Sequence, residues 1–180
     1  MGRDNRPRAN DLPSRIGKGM LVGAWITGLA MLWLVFHGIV EEQQNPNRAP
    51  EARIGQAGTP EVVLKRNRAG HYVANGQING KGVTFLLDTG ATRVALPLDL
   101  ARELALPLRP GGRSKTANGL VYTWSTVLRS VDLGGLEAQR VPASVLPNMG
   151  GQEVLLGMSY LKRFELIQRG DTLTLRPPQA

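Results

Sequence analysis

Apolar and polar positions change rhythm along the chain. Residues 20–40 contain no Asp, Glu, Lys or Arg, and a helix of that length rises about 31 Å, the thickness of a bilayer core. The run predicts one transmembrane helix over residues 19–40. Residues 41–60 (EEQQNPNRAPEARIGQAGTP) are polar, carry three prolines and show no apolar period, so they read as a linker. From residue 61 to the end at 180 the apolar runs shorten to strand length and are separated by turn residues.

Within that last segment, Tyr72–Ile78 and Val83–Leu87 flank Asn79-Gly80, a hairpin-turn dipeptide. Leu98–Leu104 predicts a short helix closed by Pro107. Ala117-Asn118-Gly119-Leu120 has turn chemistry, and the run from Val121 to Val131 is rich in β-branched and aromatic residues. Gly134-Gly135 opens a strand from Leu136 to Leu146, and Met158–Arg163 predicts a second short helix. Phe164–Gln168 and Thr172–Arg176 flank a Gly170-Asp171 turn. Six or more short strands with two small helices predict a mainly β, barrel-like domain over residues 61–180.

Composition and charge narrow the chemistry. The chain has no Cys and two His, which excludes a disulfide framework and a thiol nucleophile and leaves a Ser-His-Asp triad poorly supplied. Of the net charge of +8, residues 1–18 hold five basic residues against two acidic ones. The other basic residues are scattered rather than interleaved with aromatics, which argues against nucleic acid as a partner. The basic tail precedes the apolar run and Glu41-Glu42 follow it. The positive-inside rule therefore keeps residues 1–18 cytoplasmic and exports the rest. A cleaved signal peptide competes with the anchor, but the run exceeds a signal core, and Gly38-Ile39-Val40 lacks a small-x-small cleavage site. Trp25 and Trp33 fit packing in lipid.

The candidate chemistry lies where the apolar run Phe85-Leu86-Leu87 enters Asp88-Thr89-Gly90-Ala91. A carboxylate beside such a strand is partly desolvated, a cost that hydrogen bonds or a shared proton must offset. Gly90 can bring a backbone amide to that carboxylate, the Thr89 hydroxyl can brace the turn, and Ala91 leaves the site open. A capped turn after a strand is the plain structural alternative. Leu155-Leu156-Gly157, later in the chain and beyond the turn at Asn118-Gly119, makes the pattern more specific. Tyr122 and Trp124, in the intervening strand, fit packing better than substrate contact.

With Asn79-Gly80, Phe85–Ala91, Thr116–Gly119 and Leu155–Leu161 in this order, the sequence resembles the retropepsin-like (clan AA) aspartic proteases, most closely their bacterial membrane-anchored members. The resemblance implies a retropepsin-like closed β-barrel with one or two short helices, preceded by the transmembrane helix. It also implies that Asp88 is the catalytic aspartate, supported by Thr89, Gly90 and Ala91. Ala117, Asn118 and Gly119 would form a flap over a peptide or protein substrate, with Leu155 and Gly157 beside it. Met158-Ser159 stand where viral members carry Arg followed by Asn or Asp, so that charge pairing is missing here.

Peptide hydrolysis by this route takes two carboxylates sharing a proton. The chain holds one Asp-Thr-Gly; Asp99, Asp132 and Asp171 lack that context. A homodimer with Asp88 of each copy meeting across a two-fold axis is therefore expected, with neither metal nor organic cofactor. The expected location is the bacterial inner membrane, single-pass through residues 20–40, with the C-terminal domain in the periplasm. Val62–Lys65 and Thr172–Arg176 are candidate interface strands, or else edge strands covered within one subunit. A different class of function, a membrane-tethered module that binds peptides without cutting them, fits the same fold.

Overall fold

The computed structural model describes residues 12–55, 58–116 and 119–178. The chain divides into two units, one ending at Glu42 and one running from Gln43. The first is part of a single helix, α1 (Leu12–Gln44). Its large apolar side chains from Met20 to Phe36, Trp25 and Trp33 among them, are exposed within the chain, so no one stripe is set aside for a protein core. The one hydroxyl in this stretch is satisfied locally, Thr27 Oγ1 donating to Gly23 O at 2.9 Å. This is the single helix among the described residues that is long and apolar enough to cross a membrane.

In chain order, the second unit comprises β1 (Arg53–Ile54), β2 (Pro60–Lys65), β3 (Val73–Ile78), β4 (Lys81–Leu87) and β5 (Val94–Pro97), followed by α2 (Leu98–Glu103). Then come β6 (Arg109–Thr116), β7 (Gly119–Leu133), β8 (Leu136–Leu146), β9 (Val154–Leu156), α3 (Met158–Leu161), β10 (Glu165–Arg169) and β11 (Thr172–Arg176). A seven-stranded sheet has the order β3-β4-β9-β5-β8-β7-β6, and a four-stranded sheet has the order β1-β2-β11-β10. The β4–β9 and β5–β8 pairs are parallel. Asn79 and Gly80 both take positive φ, 53° and 80°, as a two-residue hairpin between β3 and β4 demands. Asn79 also ties that turn to β7, its amide donating to Ser130 O at 3.0 Å and its Oδ1 accepting from the Ser130 amide at 3.1 Å.

The closed β-barrel expected from the resemblance is not formed. The strands build two sheets with edges, and the larger ends on β6, whose ladder runs to β7 alone. β3 also meets β7, over just Gln77↔Asp132 and Ile78↔Val131. That crossing requires Gly76, where an added Cβ would lie 2.5 Å from Asp132 O and 2.6 Å from the Phe85 ring. The physical reason is the length of β7: its first half runs out with β6 as a hairpin rather than closing the wall, while the terminal strands form their own sheet.

One apolar core joins both sheets, with Phe85, Ile78, Leu128, Leu156, Leu64 and Leu175 fully buried in it. Tyr160, on α3, sits in the same core with its hydroxyl donating to Leu136 O at 2.6 Å. Burial, and secondarily the charge of Asp132, pushes that hydroxyl well above the ordinary tyrosine range. Tyr160→Phe keeps the packing but strands the Leu136 carbonyl, so an unfolding titration should show a loss of about 1–2 kcal/mol.

Two expectations about the chain ends change. Residues from Gln43 onward, read as linker, are hydrogen-bonded into the domain. The buried Asn47 side chain donates to Lys65 O at 2.9 Å and Val73 O at 2.7 Å, and accepts from the Lys65 amide at 2.7 Å. A polar, proline-containing strap has the same composition as a linker, and these bonds to β2 and β3 are what order it. Asn47→Ala should cost about 2–3 kcal/mol of domain stability in the same titration, since the amide serves three backbone groups at once. Second, Val62–Lys65 and Thr172–Arg176 are not free edges: β2 and β11 pair with each other, flanked by β1 and β10. Of the two readings of those strands, coverage within one subunit is the one realised.

Candidate active site

The site begins with the parallel pair β4–β9, which aligns Leu86 with Leu155 and Leu87 with Leu156. Asp88 extends that ladder by one bond, its amide donating to Leu156 O at 3.2 Å. The chain then turns sharply. Asp88 Oδ1 accepts the Gly90 amide at 2.8 Å, and Asp88 O accepts the Ala91 amide at 3.2 Å. The carboxylate therefore closes its own turn through one oxygen. Among the described residues, the other oxygen has no hydrogen-bond partner within the chain.

Gly90 behaves as expected in supplying the amide. A Cβ there would meet Asp88 Oδ1 at 3.1 Å and no other atom within 4 Å, so the glycine keeps the space over the carboxylate clear. Thr89 does not brace the turn: its side chain is exposed, and among the described residues its hydroxyl finds no partner in the same chain. The Gly90 amide performs that role. Ala91 is half-buried, and its carbonyl accepts the Met158 amide at 2.8 Å.

Gly157 is buried against the far side of this turn. A Cβ on it would collide with the Arg93 carbonyl oxygen and lie 2.6 Å from Ala91 O and 2.7 Å from Arg93 C. Leu155, half-buried in β9, lies between Leu86 of β4 and Ala95 of β5. Asp88, Gly90, Ala91, Leu155 and Gly157 thus belong to one hydrogen-bonded junction. Ser159, to which the sequence assigned no positive role, completes it. The buried hydroxyl accepts the Val94 amide at 2.9 Å and donates to Pro142 O at 2.8 Å, joining β5, β8 and α3 without charge. Its one signal in the sequence was a polar residue on the inward side of a helix.

The expected flap lies in a separate element. Ala117 and Asn118 fall outside the described residues, and Gly119, with φ of +103°, begins β7 opposite Thr116 of β6. Along β7, Leu120, Tyr122 and Trp124 are exposed, Tyr122 by 75%. Tyr122 is therefore not a packing residue as expected. The Arg113 guanidinium of β6 stands 6.0 Å over its ring. A hairpin presenting apolar side chains outward is a surface suited to contact rather than to solvent.

A family model described as gag-polyprotein putative aspartyl protease matches residues 74–163. The chain belongs to that family. The matched segment runs from β3 through α3 and contains both Asp88 and Gly157. This aspartyl protease family member is also similar to a crystal structure of a retropepsin-like aspartic protease from Rickettsia conorii. There the identity is 33% and the TM-score 0.56, over 64% of this chain and 98% of that one. The fold is accordingly retropepsin-like. An uncharacterized Sinorhizobium protein encoded in the cobV 5′ region is 32% identical over 125 residues, covering 66% of this chain and 53% of that protein. An uncharacterized protein of Rickettsia prowazekii strain Madrid E is 32% identical over 109 residues, covering 58% and 46%. The chain spans about half the length of these curated relatives.

Proposed function

We propose that this protein is a membrane-anchored aspartic endopeptidase whose active site is completed by pairing two copies, each contributing Asp88. The observation that carries the reading is the Asp88 carboxylate itself. It stands at the end of the β4–β9 pair with one oxygen fixed by the Gly90 amide and the other open, flanked by exposed Thr89 and Gly90. A structural Asx turn needs only the fixed oxygen.

In the paired site, one carboxylate takes a proton from a water molecule whose oxygen attacks the peptide carbonyl carbon, while the other, protonated, gives its proton to the carbonyl oxygen. Collapse of the tetrahedral species breaks the C–N bond, the amine leaves with a proton, and the products are a carboxylic acid and an amine. General acid and base roles of this kind each contribute about 10²–10⁴-fold. Two adjacent carboxylates cannot both ionise readily, and this separates the two roles between chemically identical groups. Ala117, Asn118, Gly119 and the exposed apolar side chains of β7 would cover the substrate, with Leu155 beside it.

The apolar helix α1 supports anchoring in the bacterial inner membrane, with the folded unit in the periplasm. Holding two copies in one bilayer would raise their effective concentration and favour pairing. The test is cleavage of a peptide library by the full chain in detergent, across acidic and neutral pH, comparing wild type with Asp88→Asn. Loss of cleavage in the variant supports the reading. Equal cleavage, or capture of peptides with no cleavage by either protein, contradicts it, and the second outcome would favour the binding module. A reporter fused after residue 180 should be active only in an exported form.

A further inference from the structure

The apolar run of α1 ends at Val40, and the folded unit begins at Gln43. From there to Ala52 the chain is fastened to the fold by a series of hydrogen bonds. Gln43 Oε1 accepts from Arg68 Nη1 at 2.9 Å, and Gln44 O accepts from Asn67 Nδ2 at 3.0 Å. Asn45 Nδ2 donates to Asn75 Oδ1 at 2.8 Å, Asn75 Nδ2 donates to Arg48 O at 2.9 Å, and the Ala52 amide donates to Gly134 O at 2.6 Å. With the three bonds of Asn47, these make a strap of residues 43–52. The spacer between the apolar run and this strap is Glu41 and Glu42.

The strap is also fastened close to Asp88. Asn47 Nδ2 donates to Val73 O at 2.7 Å, and Val73 lies opposite Leu86 in the β3–β4 ladder. Asp88 follows two positions later. Along that route, with the chain segments fully extended, Asp88 lies at most about 45 Å from Val40, whatever the angle at which the helix leaves a bilayer. A flexible spacer over residues 41–60, as the composition suggests, would add up to about 70 Å. Anchoring alone asks for no more than such a spacer; a fastened strap fixes the reach as well.

We propose that this protein cuts membrane-anchored polypeptides, in extended segments lying within about 45 Å of the bilayer, or roughly the first dozen residues outside a membrane helix. The inference rests on the reading that Asp88 is a proteolytic group and α1 a membrane anchor. A soluble peptide gains nothing from the anchor, whereas a polypeptide held in the same bilayer meets the site at a raised effective concentration. That gain is realised only where the scissile bond lies in the layer that the strap lets Asp88 reach. Height above the membrane thus selects the bond before any side-chain preference acts.

The test compares the full chain with a variant carrying twenty Gly/Ser residues inserted between Glu42 and Gln43, outside every bond of the strap. Both are reconstituted in phosphatidylcholine vesicles with single-pass substrates. Each substrate carries one cleavable sequence, taken from the peptide library, at about 20 Å or about 70 Å from the bilayer on a semi-rigid helical spacer. Wild type should cut the near substrate at least about tenfold faster than the far one. The insertion should raise the far rate by about tenfold and change the cutting of the free peptide little. Equal rates for near and far substrates with wild type, or a far rate that the insertion leaves unchanged, overturns the proposal.

Reach is also read without cleavage. The chain contains no cysteine, so a dye on Thr92→Cys, an exposed position close to Asp88, reports height by energy transfer to acceptors at the bilayer surface. Strong transfer that falls on insertion supports the fixed reach. Weak transfer in wild type, unchanged by the insertion, overturns it even where no substrate is cut. Fixed reach with no Asp88-dependent cleavage overturns the proteolytic chemistry, and the substrate assignment with it, while the strap's control of height stands.

Discussion

Asp88→Asn is expected to reduce peptide cleavage by at least about 10⁴-fold, because in a symmetric pair one substitution removes the base and the acid together. The loss should fall on kcat, with substrate binding largely kept. Asn is nearly the same size as Asp, and its Oδ1 can still accept the Gly90 amide that Asp88 accepts at 2.8 Å. The turn therefore survives, and the thermal midpoint of the variant should stay within a few degrees of wild type. Single-turnover kinetics with differential scanning calorimetry on the same preparation separates the two effects. A variant that loses activity by unfolding would point to a structural turn, not a reactive carboxylate.

Gly157→Ala should be the most damaging single methyl group that can be added near the site. The new Cβ would press on the Arg93 carbonyl and sit 2.6 Å from Ala91 O. These are backbone atoms on the turn that carries Asp88, so no side-chain rotation relieves the contact. Moving that turn strains the Met158–Ala91 and Asp88–Leu156 hydrogen bonds. Overpacking of this kind costs about 1–3 kcal/mol, and the upper end applies where backbone meets backbone. Chemical denaturation should show a loss of about 3 kcal/mol, with cleavage reduced even at temperatures where the variant is folded. Gly90→Ala gives the contrast. Its Cβ would meet only Asp88 Oδ1, at 3.1 Å, so stability should change by less than about 1 kcal/mol while kcat falls, since the methyl intrudes over the carboxylate.

The parts of this fold legible in the sequence are those in which local chemistry dictates the backbone. Asn79-Gly80 announced its hairpin because both residues accept positive φ, and Leu136–Leu146 was bounded by Gly134-Gly135 in the sequence as it is in the fold. β6 was missed. Its Arg-Pro-Gly-Gly-Arg-Ser-Lys-Thr sequence has no apolar alternation, and the strand exists by pairing with β7, with an irregularity between Pro110 and Gly112. Asn47 was read as part of a linker because nothing local marks an amide whose partners are Lys65 and Val73.

The expected barrel failed for a related reason. Strand count and turn spacing do not reveal where a strand as long as β7 leaves the wall, nor that β2 and β11 pair with each other. At the site, the Asp88–Gly90 contact was readable from three consecutive residues. The Ser159 cross-link was not, since its partners Val94 and Pro142 lie on two other strands. Thr89 was read as bracing the turn, and its exposed hydroxyl makes no hydrogen bond to the described residues of its own chain.

The most direct measurement is a mixing experiment. Full-length wild type and Asp88→Asn chains are co-expressed at graded ratios, purified together, and assayed for cleavage per total protein. If each working site takes Asp88 from both copies, activity follows the square of the wild-type fraction and falls to roughly a quarter at equal proportions, as random pairing into two-fold dimers requires. A straight-line dependence, with roughly half the activity at equal proportions, would mean that each chain cuts alone and would contradict the account.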